Sequence, residues 1–340
     1  MKEFYQKVEM MNPNCRNLSL TVIEGETFGE KAFVSGGRIE WTSEETGFFR
    51  SHEKEISELQ DDGILEIDGV KVFAEVLGRQ KKMVICGGGH VSIAIIHLGK
   101  MIGFHMTVLE DRPKFADNAR RAGADEVVCE TFEHGLEKIP GDQDTFFVIV
   151  TRGHVYDQIC LEQIVRKPHA YIGMMGSRRR VAQVKRIALE RGADPEVIAK
   201  LHSPIGLDIG AETPEEIAVS VIGEIIEIKN KNNRSSIYSE EMLEEILYGK
   251  PGKKVLATII ARKGSAPRSV GTKMLVLPDG RCIDTIGGGC VEANIVGKAL
   301  LILRECAKAP QIVNVDMTGA DAEEEGMVCG GKVKVLLEEI

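Results

Sequence analysis

The chain has 340 residues, 43% of them hydrophobic and 28% charged, with a formal net charge of -9 at pH 7. Such a length suits two domains, each with its own core, and the composition is that of a globular protein. The acidic balance argues against nucleic acid as a partner, and no apolar run approaches the roughly 18 residues of a membrane span.

The charged opening, Met1–Met10, has no signal-peptide core, and the eight cysteines form no Cys-x-x-Cys pair. They read as reduced thiols, so a cytoplasmic location is expected. Residues 1–79 read as a degenerate strand-rich segment. Thr21-Val-Ile23, Gly29-Glu-Lys31, Val34, Gly37-Arg38 and Lys71-Val-Phe-Ala-Glu75 answer Thr258-Ile-Ile260, Gly271-Thr-Lys273, Val276, Gly280-Arg281 and Lys334-Val-Leu-Leu-Glu338. The first segment is thus a candidate repeat of the last.

Residues 80–229 alternate apolar strands with helical stretches. Lys81–Cys86, His105–Glu110, Thr145–Val150 and Ala170–Gly173 read as buried parallel strands joined by right-handed crossovers. Thr213-Pro-Glu-Glu216 is a capping box, and the helix it starts carries Ile217, Val221, Ile225 and Ile228 on one face. The polar run Lys229–Ser236 reads as a linker, so residues 230–253 are expected to be linker and a short helix. Residues 254–340 form a second, cysteine-bearing strand-rich segment.

Gly87-x-Gly89-x-x-Ser92, between a strand and a helix, fits a dinucleotide fingerprint with serine in the third glycine's place. Gly87, Gly88, Gly89 and His90 would form the turn. Glu110 or Asp111 would hold a ribose hydroxyl, and Arg112 a phosphate. The predicted fold is therefore α/β. It comprises a Rossmann-like doubly wound parallel sheet domain and a strand-rich α+β domain built from the N- and C-terminal segments. Thr151-Arg-Gly-His154 follows a strand at the ligand-binding edge, with Asp157 placed to orient His154. Of Arg178, Arg179 and Arg180, one at most would face a ligand.

Two glycine-dense turns stand in the last segment: Gly264-Ser265-Ala-Pro-Arg268, leading to Gly271-Thr-Lys273, and Thr285-Ile-Gly287-Gly288-Gly289-Cys290. Successive glycines can turn backbone N–H groups toward one anion. A cysteine at the lip of such a nest, with a helix expected from Val291, favours the thiolate. Cys329, in Gly326-Met-Val-Cys-Gly-Gly331, is the second functional candidate. The other six cysteines read as small buried hydrophobes, and no four-ligand zinc site can be assembled.

These motifs, with Asp111-Arg-Pro113, Ile172-Gly-Met-Met-Gly-Ser177, Pro204–Gly210 and Glu212–Ala218, resemble the XdhC/CoxI family over about residues 81–340. Its members are accessory or maturation factors of xanthine dehydrogenase and related molybdenum hydroxylases. In most of them the cysteine-bearing segment precedes the sheet domain. Where they have Thr-His-Asp-His, this chain has Thr151-Arg-Gly-His154.

The resemblance implies binding of the molybdenum cofactor, support of its sulfuration by a cysteine desulfurase, and delivery to a molybdenum hydroxylase client. It makes Cys290 the molybdenum ligand or transient sulfur acceptor, with Cys329 beside it in the chemistry. Gly264, Ser265 and Gly287–Gly289 would cradle the cofactor, and Arg268 and Lys273 would hold its phosphate or oxo-molybdenum group. The cofactor would be molybdopterin or its cytosine dinucleotide form, whose pyrophosphate suits the Gly87–Ser92 turn. The competing readings are an NAD(P)-dependent oxidoreductase and a nucleotide-binding regulatory protein with structural cysteines. Exposed edges of the strand-rich segments are compatible with a homodimer.

Overall fold

The computed structural model describes residues 1–232, 236–264, 268–316 and 331–340, apart from the side chains of His154, Asn232 and Cys290. The chain divides into two units, Met1–Arg79 with Ser235–Ile340, and Gln80–Arg234. No described helix is long and apolar enough to cross a membrane.

Residues 1–79 give α1 (Lys2–Met10), β1 (Asn17–Val22), β2 (Lys31–Ser35), β3 (Arg38–Thr42), α2 (Phe48–Ser51), α3 (Glu53–Ser57), β4 (Gly63–Ile67) and β5 (Val70–Gly78). The second unit contains β6 (Lys82–Cys86), α4 (His90–Met101), β7 (His105–Leu109), α5 (Pro113–Arg121), β8 (Glu126–Val128), α6 (Phe132–Lys138) and β9 (Thr145–Ile149). It continues with α7 (His154–Ile164), β10 (Tyr171–Met174), α8 (Arg178–Glu190), α9 (Pro195–Ala199) and α10 (Pro214–Asn232). The chain then returns to the first unit through β11 (Ser236–Ile237), α11 (Glu240–Leu247), β12 (Val255–Lys263), β13 (Lys273–Val276), β14 (Cys282–Ile283), α12 (Gly289–Leu303), β15 (Gln311–Asp316) and β16 (Lys332–Glu339).

The two sheets of the first unit share one antiparallel order. One runs β3-β2-β1-β5 with β4 on β5, and β11 adds a short parallel edge; the other runs β14-β13-β12-β16-β15. Registers agree as well. Ser19 faces Glu75 where Leu256 faces Glu338, and Val34 faces Ile39 where Val276 faces Cys282.

Strand alternation sends successive side chains to opposite faces. Leu18, Leu20 and Val22 thus pack with Phe49 and Ile56 on one outer face. Val255, Ala257 and Ile259 pack with Ile295, Ala299 and Ile302 of α12 on the other. Ile23, Phe73, Ile260 and Leu336, two aligned pairs of residues, meet between the sheets.

Two ion pairs cross the same interface. Lys31 Nζ donates to Glu338 at 2.6 and 2.7 Å, while Lys273 pairs with Glu75. Each lysine also lies near a ring, Lys31 5.3 Å from the centroid of Phe4 and Lys273 4.6 Å from that of Tyr238. The pairing is reciprocal: the lysine of each copy meets the glutamate of the other.

In the second unit five parallel strands run β10-β9-β6-β7-β8, so the order reverses between β6 and β9. Apolar clusters fill both faces of this sheet, as its near-continuous hydrophobic strands require. The capping box forms as expected. Glu216 Oε2 accepts from the backbone N–H of Glu212 and Thr213, and Thr213 Oγ1 accepts from Glu216 N–H at 3.3 Å. The expected linker is corrected at its start, because α10 stays helical through Asn232.

Candidate functional site

Open parallel sheets bind ligands at the carboxyl ends of the strands, where their order reverses. Here the turns after β6 and β9 flank that point. Gly87 leaves β6 at φ +117°, and a Cβ on it would meet the Val150 carbonyl oxygen at 2.5 Å. Gly88 N–H donates to Glu110 Oε2 at 2.7 Å. Arg112 donates to Glu110 Oε1 through Nε at 2.8 Å and its backbone N–H at 3.2 Å, and to Oε2 through Nη2 at 3.2 Å. Both oxygens of the buried Glu110 are therefore engaged within the protein, which corrects its expected role as a ribose ligand.

Asp111 is engaged too. Arg152 grips it in a bidentate pair at 2.6 and 2.8 Å, and these bonds hold the Asp111 carboxyl at a pKa of about 2. Arg152 also donates to the Tyr156 hydroxyl at 2.8 Å and lies 4.2 Å from the centroid of that ring. Because β6 lies between β7 and β9, the Asp111–Arg152 pair bridges across the glycine turn. Arg112 lies 3.7 Å from the Phe115 centroid.

His90 opens α4 and is exposed. Asp157 is buried, and its carboxylate accepts from Thr151 Oγ1 and Arg180. The His154 side chain lies outside the described residues. Arg178 and Arg179 are exposed, so only Arg180 of the three turns inward.

Sequence reasoning missed the parts played by Arg152 and Tyr156. Their separation of four residues at the start of α7 was the available signal. Glu110→Ala is expected to lower the stability of this unit by about 2 kcal/mol, since Gly88 N–H and the Arg112 guanidinium both lose their acceptor. Thermal unfolding followed by circular dichroism checks this.

In the first unit, the register brings several predicted residues to one end of the second sheet. Lys263, beside Gly264, pairs with Lys332, and Lys332 pairs with Asp316. β14 runs antiparallel to β13, which returns the chain toward the start of β13 before Gly287. Gly264 and Arg268 are exposed at this end.

Gly287, Gly288 and Gly289 have φ of 129°, 71° and 62°, a left-handed run that only glycine adopts readily. Thr285 Oγ1 accepts from Gly287 N–H and Glu292 Oε2 from Gly288 N–H, each at 3.1 Å. Thr285 in turn donates to Glu292. Two N–H groups of the predicted nest thus brace the turn itself, and α12 starts at Gly289 rather than Val291. Cys290 is the second residue of that helix.

Lys273 is corrected as a ligand residue. Its ammonium is buried and engaged by Glu75, Ser236 Oγ and the Gly271 carbonyl. Burial pushes its pKa down, with Glu75 opposing the shift. Ser265, Cys329 and the Cys290 side chain lie outside the described residues. Among the described residues no cluster of three or more His, Cys, Asp or Glu side chains could hold a metal ion. Cys86 and Cys160 are buried as expected and Cys129 and Cys282 half-buried, but Cys15 and Cys306 are exposed because both sit in turns.

Residues 83–225 match the XdhC Rossmann domain, and residues 250–316 match the XdhC and CoxI family. The uncharacterized protein YqeB of Escherichia coli (strain K12) is 35% identical over 162 residues, spanning 47% of this chain and 30% of YqeB. A probable xanthine dehydrogenase subunit of Bacillus subtilis (strain 168) is 28% identical over 160 residues, 47% of this chain and 46% of that protein. The matched part is therefore less than half of each relative's length. The crystal structure of a xanthine dehydrogenase from Bacillus halodurans superposes with a TM-score of 0.54 at 20% identity, over 73% of this chain and 70% of that one, a likeness of fold. With its parallel-sheet unit and its glycine-rich C-terminal segment both matched, the chain belongs to the XdhC/CoxI family.

Proposed function

We propose that this protein is an accessory factor for a molybdenum hydroxylase of the xanthine dehydrogenase type. It binds the molybdenum cofactor at the glycine-rich end of its C-terminal sheet, holds it while a cysteine desulfurase supplies sulfur, and passes it to the client enzyme.

The supporting observation is a contrast between the two copies in the first unit. In the N-terminal copy the Glu30 carboxylate caps α2, accepting from Phe48 N–H at 2.9 Å and Phe49 N–H at 3.1 Å. Gly29-Glu30-Lys31 aligns with Gly271-Thr272-Lys273, so neutral Thr272 stands where the built-in anion was. The Gly289 N–H at the start of α12 has no partner among the described residues, and a Cβ on Gly288 or Gly289 would meet nothing within 4 Å. The first copy fills its helix start with the Glu30 carboxylate; in the second, Glu292 takes the Gly288 N–H alone and the Gly289 N–H is left for an external anion.

These residues fit the group. The cofactor is a phosphorylated pterin that supplies molybdenum held through a dithiolene. Backbone N–H groups at Gly289 and beyond would hold its anionic part, with the exposed Arg268 guanidinium as counter-charge. Cys290 would offer a soft thiolate ligand. Thr285 and Glu292 keep the turn in shape without contacting the ligand.

The test is cofactor retention. Protein purified from molybdate-supplied cells is expected to carry pterin and molybdenum in stoichiometric amounts, and Cys290→Ala to lose the metal while remaining folded. A parent protein that never carries pterin overturns this reading.

A further inference from the structure

The carboxyl end of the parallel sheet holds a second candidate ligand site, in the other unit from the proposed cofactor cradle. We propose that it binds a dinucleotide whose ribose carries a 2′-phosphate, selected over the free 2′-hydroxyl by Arg112 with Arg152.

The first observation concerns where a ligand can lie. Gly89 has φ -77° and ψ -175°, angles open to any residue, and a Cβ on it would meet nothing within 4 Å. Neither backbone nor packing requires glycine there. A bare backbone facing open space, at the start of the twelve-residue helix α4, suits close passage of a pyrophosphate.

The second observation concerns what the site can read. A ribose diol is held by a carboxylate with oxygens free to accept. Glu110 has none free, since Gly88 and Arg112 take both oxygens. Asp111 accepts one bond on each oxygen from Arg152, so a ribose diol would have to share this carboxylate with a guanidinium already bound to it. Releasing Glu110 to a ribose would orphan the N–H of the very turn that is to hold the pyrophosphate.

What the edge does offer is guanidinium. Arg112 and Arg152 are about one-third exposed, at 35% and 34%, and each lies over a ring, Phe115 and Tyr156. Arg112 directs Nε and Nη2 to Glu110, and its Nη1 has no hydrogen bond among the described residues. A planar donor beside the end of β7 is the arrangement that receives a 2′-phosphate. Arg178 and Arg179, exposed at the start of α8, add positive charge at the same end of the sheet, on a chain of net charge -9.

The full-length protein should be titrated with NADPH and with NADH at low salt, following the fluorescence of the reduced nucleotide. NADPH is expected to bind about tenfold or more tightly than NADH, the size of one charge-assisted contact. Arg112→Gln should remove that preference by weakening NADPH alone, and Arg112→Lys should keep part of it. Gly89→Ala should weaken both nucleotides while the protein unfolds at the parent's temperature, which locates them at the turn. Equal or tighter binding of NADH, equal weakening of both by Arg112→Gln, or no binding of either overturns the proposal. None of these outcomes bears on pterin retention, so the two readings fail separately.

Discussion

Lys273→Met is expected to destabilise the first unit by about 3–5 kcal/mol, the consequence of stripping one partner from a buried ion pair. The Lys273 and Glu75 side chains are 1% and 5% exposed, and methionine keeps the length and bulk of the stem. The loss would therefore come from the unpaired Glu75 charge and not from a cavity. Lys273→Met with Glu75→Leu should return stability to within about 1 kcal/mol of the parent, because an apolar pair of similar volume incurs no desolvation penalty. Lys31 and Glu338 should behave alike, their side chains being 3% and 6% exposed. Trp41, the single tryptophan of the chain, lies in this unit and reports its urea unfolding by fluorescence. A loss below about 1 kcal/mol, the range of exposed pairs, would show that water reaches the pair.

The crossed pairs mark where sequence stops being informative. Thr21, Lys31, Val34, Arg38 and Glu75 align with Thr258, Lys273, Val276, Arg281 and Glu338 through strand alternation and turn glycines, which are local signals. That Lys273 points at Glu75, 198 positions away, depends on which faces of the two sheets meet. Neither copy's own pattern contains that fact, and the nearby Gly271 made Lys273 resemble a ligand residue. Glu110 shows the same limit at shorter range. Its spacing from the glycine turn placed it correctly at the end of β7, but the direction of Gly88 N–H decides that its oxygens serve the turn. In the sequence Arg152 is a departure from the family's histidine and nothing more. Its grip on Asp111 follows from β6 lying between β7 and β9, a matter of strand order.

Gly87→Ala and Gly89→Ala should separate what the glycine turn does for the fold from what it does for a ligand. At Gly87 an alanine must hold φ +117°, about 1–3 kcal/mol of strain. Its Cβ would also sit 2.5 Å from the Val150 carbonyl oxygen, so the end of β9 must shift for about 1–3 kcal/mol more. The expected loss is about 3–4 kcal/mol, read as faster hydrogen exchange at the amides of β6, β9 and α4. At Gly89 neither term applies, and stability should stay within about 0.5 kcal/mol of the parent. The added methyl would instead occupy the space over which a pyrophosphate passes, so nucleotide affinity should fall with the exchange rates unchanged. If both alanines act on stability alone, the turn is a structural corner. If Gly89→Ala acts on binding alone, the first glycine is kept by the chain and the second by its ligand.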